Sequence, residues 1–562
     1  MATLMHLAAR LILCSTTLAA ADPPGPKRVA ETTFSVASGF FDGPIQIAIS
    51  TPAPDATIRF TTNGAVPSTH SGTTYSGPLT LTTTTILRAA AFKDGLEPST
   101  PDTRTFLFPR DVAHQGVSPA GFPTTWGIRE GQPVPADYEM DPDIVNAPAY
   151  RGEIVAALKS LPSVSLVLDP HDLFDPHSGI YSNPRESGPD WERPAAVEYL
   201  DPRSARGFRI DAGLRVQGGW NRRPEESPKH AFRVVFRKRH GAGRLRFPLF
   251  GESGVHDFDE VILRAGCNNS WLHWSGEERR RGDYIRDQWM RDSLAAMGHP
   301  SARGHFVHLY LNGLYWGVYN LVERPAGPFV AGNFGGAPHD FDVRNGSNLL
   351  EGDGQAWDQL VRSLESTTST RTLPAGIGSQ LNLTQFADYI LLNLYGSNGD
   401  WDGSSNWYAA RRRDPPGPFR FFVWDGERTL ENPEDNTLDY DAADSPPRLF
   451  QRLRTIPEFR RLFAGRARLH LTGNGALTPQ AAANRYEHWS RQLDPAMVAE
   501  SARWGDYRRD AHPYKTGPFE LYTREEHWRP EIRRLLTDYF PRRTSVVLRQ
   551  FEAAGLMPEP GQ

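Results

Sequence analysis

Residues 399–426 read GDWDGSSNWYAARRRDPPGPFRFFVWDG, and the order of residue types in them decides the fold. Asp400, Asp402 and Asn406 fall in a run of Gly, Ser and Asn that favours a loop over a helix or strand. A strand over residues 407–412 follows, then the turn Asp414-Pro415-Pro416-Gly417, then a second strand over 419–423. That strand runs directly into Trp424-Asp425-Gly426. Just upstream, Asn382 with Gln385 three residues on has the form of a helix start. The helix carries Phe386, Ile390 and Leu394 and stops near Gly396. Folding this hairpin brings Asp425 back beside the loop that holds Asp400 and Asp402.

Helix, acidic loop ending in Asn, hairpin and Asp-Gly is the order that protein kinases use around their phosphates. Phosphoryl transfer needs magnesium held by carboxylate and amide oxygens, and an aspartate to orient the acceptor hydroxyl. Asp-Gly and Asn-Gly are also common solvated turns, so spacing alone leaves a plain loop as the competing reading. Earlier in the chain, SPKHAFRVVFRKR places Lys229 just ahead of a strand, where an ammonium could reach nucleotide phosphates; Arg233 and Lys238 compete for that role. Glu323, at the end of a predicted aromatic hairpin, is a possible partner for such a lysine or an ordinary salt-bridge residue.

Working outward, the region from residue 161 to 556 reads as mixed α/β with a helical C-terminal part. Residues 163–169 and 232–236 alternate as strands, and residues 283–297 form an amphipathic pattern closed by Gly298 and Pro300. Residues 305–322 are two alternating aromatic strands around Asn312-Gly313, the dipeptide a type I′ turn prefers. Helical patterns cover 448–471, 481–493 and 528–554. Residues 109–160 form a Pro- and Gly-rich connector, with a helix predicted over 143–161. Before it, residues 33–108 are all-β: Ile45, Ile47 and Ile49 alternate, as do runs at 57–61 and 85–89, with turns at Asn63-Gly64 and Asp94-Gly95 between them. That pattern predicts a small β-sandwich.

The first 21 residues read as an export signal: His6 and Arg10, the apolar run Leu11-Ile12-Leu13, then Ala19-Ala20-Ala21. Residues 22–32 are a polar, proline-rich linker. Removing the signal takes away Cys14, one of two cysteines, and leaves Cys267, so no internal disulfide is expected. A net charge of −4 over 562 residues gives no electrostatic case for a nucleic acid, and no later stretch has the roughly 20 apolar residues of a membrane span. His-Glu-x-x-His, paired Cys-x-x-Cys, Gly-x-Ser-x-Gly and the phosphate-binding Gly-Lys-Ser/Thr loop are all missing.

The segments LPSVSLVLD, LRVQGGW with PKHAFRVVF, LRAGCNNSW, VHLYLNGLYWGVYNLVERP, GDWDGSSNWYAARR, FRFFVWDGERTL and ESARWGD occur in an order that resembles the spore coat protein H (CotH) kinase family across residues 161–556. The resemblance implies a divergent, secreted, atypical kinase fold that binds Mg-ATP (or the Mn²⁺ form) and phosphorylates proteins at the cell surface or envelope. Carried over residue by residue, it implies Lys229 for the nucleotide, Asp400 or Asp402 for the acceptor and Asp425 for the metal; Glu323 as a possible partner of the lysine and Asn406 as a second metal ligand come from the residues themselves. Many members carry a second Asp where this chain has Glu427. The segment ATIRFTTNGAVPSTHSGTTYSGPLTLTTTTILRAAAFKDG resembles the chitobiase/β-hexosaminidase C-terminal type of domain, usually an accessory module, with possible polysaccharide contact. Two rivals to a kinase remain at this level. One is a non-catalytic surface or assembly protein on a kinase-like scaffold, and the other is a glycoside hydrolase using Asp402 and Asp425 as its carboxylate pair.

Overall fold

The computed structural model describes residues 27–557 apart from 130, 205, 224–226, 253–254, 367–371 and 513–519; the expected export segment lies outside the described residues. Residues 33–107 build the expected β domain. Strands Gly39–Phe40, Asp102–Leu107, Thr85–Phe92, Thr57–Thr61 and Thr73–Thr74 form one sheet in that spatial order, faced by two short two-stranded pairs. Leu87 and Phe106 close on Ile47 and Leu81, while Ala89 and Ala91 pack with Ile49 and Ile58. The opposite face of the sheet is not solvated. Ile86 meets Val167 and Ala196 of the next region, Thr105 Oγ1 lies 2.8 Å from Ser165 Oγ, and Arg209 pairs with Asp102 at 2.9 Å. The Asn63-Gly64 turn also packs there. A Cβ on Gly64, whose φ is +86°, would sit 2.5 Å from the Leu168 carbonyl oxygen. The β domain is therefore packed against its neighbour through the middle of this sheet face and the Asn63-Gly64 turn.

Residues 109–160 wrap the two regions together. The helix predicted over 143–161 is absent. Two single turns, Pro142–Val145 and Ile154–Ala157, stand in its place. Pro148 and Gly152 lie between them, and a proline lacks the N–H that would continue the helix.

Seven strands then form a closed barrel. They are β1 (Ser163–Val167), β2 (Arg193–Leu200), β3 (Gly207–Gln217), β4 (Ala231–Val235), β5 (Glu260–Arg264), β6 (Gly304–Leu311) and β7 (Leu314–Val322). All pairings are antiparallel except β1 with β6, which closes the ring in parallel. The aromatic hairpin β6–β7 is as expected: Asn312 and Gly313 take φ of +46° and +85° at its turn, the positive values a type I′ turn demands. Large aromatic rings fill the interior, among them Trp126, Tyr181, Trp316 and Trp504.

Beyond the barrel lies a second layer. Helix α1 (Arg286–Ala296) follows the expected position, but it is buried nearly all round rather than on one stripe. It packs against α2 (Leu383–Gly396), and a four-stranded sheet of β8 (Phe341–Asn345), β9 (Asn348–Glu351), β10 (Trp407–Arg412) and β11 (Arg420–Val423) stands beside them. Helices fill the rest to Ala553, and one of them, α3 (Ala496–Trp504), returns to pack on β7.

Candidate functional site

The site is assembled from α2 outward. Asn382 Oδ1 accepts the Gln385 N–H at 3.1 Å and caps the helix. The Gln385 side chain then bonds both the N–H and the C=O of Phe421, at 2.9 and 2.6 Å, which ties α2 to β11. Past the helix end, Asn398 receives the Asp400 N–H at 3.1 Å, Gly399 N–H donates to Arg428 O at 2.9 Å, and Asn406 Nδ2 donates to Asp400 O at 2.9 Å. With Trp401 buried beneath it, the acidic loop is closed on itself. The β10–β11 hairpin delivers Asp425 to the same place, in a left-handed conformation (φ +61°) that a non-glycine residue seldom adopts.

Asp400, Asn406 and Asp425 line one cleft, open to solvent between the barrel and the second layer. Its other wall is the loop after β3, with Gly218, Gly219 and Trp220. Burial raises the Asp400 carboxyl, and the Asp425 charge pushes it further in the same direction. Asp402 is half-buried and does not line this cleft.

Behind Asp425 lies a set of charges to which the sequence reading gave no role. Arg264, at the end of β5, reaches Asp425 Oδ1 at 2.5 Å, Glu427 Oε1 at 2.6 Å and Asp287 Oδ2 at 3.0 Å, with its guanidinium over the Trp424 ring. Asp287 also receives the Gly426 N–H at 2.9 Å and pairs with Arg291. Glu427 accepts the Asn268 N–H at 2.9 Å, and burial raises its carboxyl. Arg264 follows the apolar run Val261-Ile262-Leu263, and a charge closing such a run was the available signal; Asp287, in a helix rich in polar residues, offered none.

Lys229 sits just ahead of β4, as expected, but its partner is not Glu323. Its Nζ donates to Glu500 Oε1 of α3 at 2.5 Å and to Val318 O at 2.8 Å, and both charged side chains are wholly buried. Burial lowers the Lys229 ammonium against the pull of Glu500. Glu323 instead pairs with Arg303 at 2.7 Å and accepts the Arg303 N–H at 2.9 Å. The reason is topological: α3 inserts Glu500 at the β7 backbone, where its second oxygen takes the Val318 N–H at 2.7 Å. Arg233, a rival for the lysine's role, pairs with Glu260, and Lys238 is exposed.

Among the described residues no three His, Cys, Asp or Glu side chains converge to hold a metal ion. Of the residues the sequence singled out, the cleft brings together two carboxylates, Asp400 and Asp425, and the Asn406 amide, all hard oxygen donors, and Glu427 stands in the same lining. That set suits magnesium, which commonly takes one or two carboxylates and keeps several waters. One oxygen of Asp425 is already held by Arg264.

The family model for CotH kinase protein matches residues 214–546, and that for the chitobiase/beta-hexosaminidase C-terminal domain matches residues 36–103. No curated protein matches the chain. Among the described residues no helix is long and apolar enough to cross a membrane.

Proposed function

The chain belongs to the CotH kinase protein family, and from that membership we propose that it is an exported phosphotransferase moving a phosphoryl group from Mg-ATP to hydroxyl groups of secreted or cell-surface proteins. The observation that carries this reading is the convergence of Asp400, Asn406 and Asp425 on one open cleft. Catalysis of phosphoryl transfer is mostly positioning and charge stabilisation, so few protein groups are needed. Asp400 is the orienting base: it faces the cleft, and a carboxyl raised by burial and by Asp425 takes up a proton more readily than a solvated one. Asn406 and Asp425 would hold Mg²⁺ or Mn²⁺, whose charge would offset that of the phosphates when bound. Lys229 is wholly buried on Glu500 and Val318 and lies outside the cleft lining, so on this reading it reaches a phosphate only if α3 shifts when nucleotide binds. The β domain, laid along the barrel, suits contact with a polysaccharide at the envelope.

A second reading has its own support. Arg264 occupies Asp425, and Glu500 seals Lys229, so the charges a nucleotide would engage are already satisfied internally. A non-catalytic surface scaffold would look like this. The hydrolase reading has no such support, because Asp402 does not share the cleft with Asp425.

The decisive experiment is calorimetric ATP binding with Mg²⁺, with Mn²⁺ and without metal, alongside transfer of labelled γ-phosphate to the protein itself or to a casein-like acceptor. Metal-dependent binding and transfer are expected. No nucleotide binding with either metal would sink the kinase reading and leave the scaffold. Export is tested by sequencing the N-terminus of protein from the native envelope. It should begin near Asp22, and an intact Met1 in the cytoplasm would defeat it.

A further inference from the structure

The connector carries a feature unrelated to the cleft. Residues 137–143 read DYEMDPD, with acidic side chains at every second position. They face Asp506 and Asp510, just after α3. Asp506 is 2% exposed and Asp137 7%, yet Asp506 Oδ1 and Asp137 Oδ2 are buried without any hydrogen-bond partner. The cation paired with Asp137 among the described residues is Arg503, at 3.6 Å, and the Glu139 backbone N–H is a further donor to its carboxyl group. Arg509 serves the rim, at 3.0 Å from Asp143 and 2.7 Å from Asp510. Among the described residues, six carboxylates here (Asp137, Glu139, Asp141, Asp143, Asp506 and Asp510) meet two guanidinium groups, those of Arg503 and Arg509. A buried carboxylate oxygen with no donor is costly and calls for a missing partner.

We propose that Asp137 and Asp506 bind a hard divalent cation, Ca²⁺ or Mg²⁺, between the connector and the end of α3. Oxygen-only ligands select such ions, and the exposed carboxylates of Asp143 and Asp510, both paired with Arg509, add negative charge at the rim. Because no three ligating side chains converge among the described residues, the ion completes its shell with water and backbone oxygens. Burial raises the carboxyls of both Asp137 and Asp506, as expected of anions whose counter-charge is absent. The ion would reinforce a junction already joined by Asp141 N–H to Ala502 O at 2.6 Å and Arg503 Nη2 to Asp137 O at 2.6 Å. It would thereby steady the helix that presents Glu500 to Lys229.

The test is thermal melting of wild type, Asp137→Asn, Asp506→Asn and Asp425→Asn near neutral pH, in EDTA and in CaCl₂ or MgCl₂ at about 5 mM, above the dissociation constants of typical extracellular sites. A cation-dependent rise in Tm of about 1–2 °C is expected for wild type and Asp425→Asn, and none for the other two. The cation giving the larger rise is the one the site takes. No response of wild type to either cation overturns the proposal, as does an undiminished response in Asp506→Asn. A wild-type Tm that ignores cations but falls as pH rises through neutrality also overturns it, since the pair would then share a proton. Should the variants not fold, terbium replaces them as the probe. Tyr138 and Trp504 lie within two residues of the two carboxylates along the chain, so wild type should show ring-sensitised terbium emission that Ca²⁺ displaces, and its absence overturns the proposal.

Discussion

The acidic wall of the cleft and the charge layer behind it use the same residue types in opposite ways. Asp400, Asn406 and Asp425 come from one short stretch of chain and face an opening. Lys229 with Glu500 is gathered from distant segments and shut away from water, and Arg264 with Asp287 and Glu427, gathered likewise, is largely buried at the back of the cleft. In the wall, a carboxylate keeps free oxygens and can meet a ligand. In the layer, desolvating each ion is offset only because every partner is present, so the pairs hold geometry and add little net stability. A change in the wall should therefore alter chemistry, and a change in the layer should alter folding.

The largest expected effect breaks the comparison if it fails. Asp425→Asn keeps the shape and removes the charge, while Arg264 retains Asp287 and Glu427. On the proposed reading, phosphate transfer should fall about a thousand-fold, with Tm nearly unchanged. Normal transfer by this variant would remove Asp425 from the metal site and assign it to the structural layer. In that layer, Lys229→Met leaves Glu500 buried and alone, which should cost about 3 kcal/mol in denaturant unfolding. Adding Glu500→Leu should recover much of that loss. A double variant no more stable than the single one would show that the pair's neighbours, not its charges, set the cost.

Acid should also separate the two regions. His230 and His308 are buried in the barrel wall, and burial lowers each to about 4. Their folded pKa values lie below the ordinary histidine value near 6.5, so between those limits the unfolded chain binds protons that the folded one refuses. Their contribution is intact above pH ~6.5 and is lost as pH falls toward about 4, at roughly 2.7 kcal/mol per pH unit for the two together. Replacing both with Gln or Asn should remove their share of that slope in urea titrations, while His273 and His305, which burial also lowers to about 4, keep theirs. An unchanged slope would place acid sensitivity elsewhere.

The wall was legible in the sequence because it is local. The Asn382 cap, the α2 face, the β10–β11 hairpin and the Asn312-Gly313 turn each rest on residues a few positions apart, where backbone preference and short-range bonds dominate. The layer was not, because nothing local says which distant charge a buried residue will meet. Glu323 stood at the end of a strand and looked suited to Lys229, yet the partner came from α3, 271 residues away. Closure of the barrel by β1 against β6 escaped for the same reason: alternation reveals a strand but not its neighbour. The helix expected over 143–161 failed on a local signal that was present, Pro148, which apolar spacing at Ile154, Val155 and Leu158 outweighed.

The smallest expected effect sharpens the comparison within the wall itself. Asp400 and Asp402 are two residues apart on one loop, and the sequence offered both as the base. Only Asp400 lines the cleft, and only there do burial and the Asp425 charge act together on a carboxyl facing it. Asp400→Asn should thus bind Mg-ATP and fail to turn over. Asp402→Asn, changing a half-buried side chain outside the cleft, should shift turnover by no more than about two-fold, as a perturbation of roughly 0.5 kcal/mol would. Single-turnover transfer with both variants, each checked for ATP binding, decides the matter. If Asp402→Asn is the dead enzyme and Asp400→Asn the live one, the loop rearranges when substrate binds, and the position of a carboxylate in the unliganded cleft is no guide to the base.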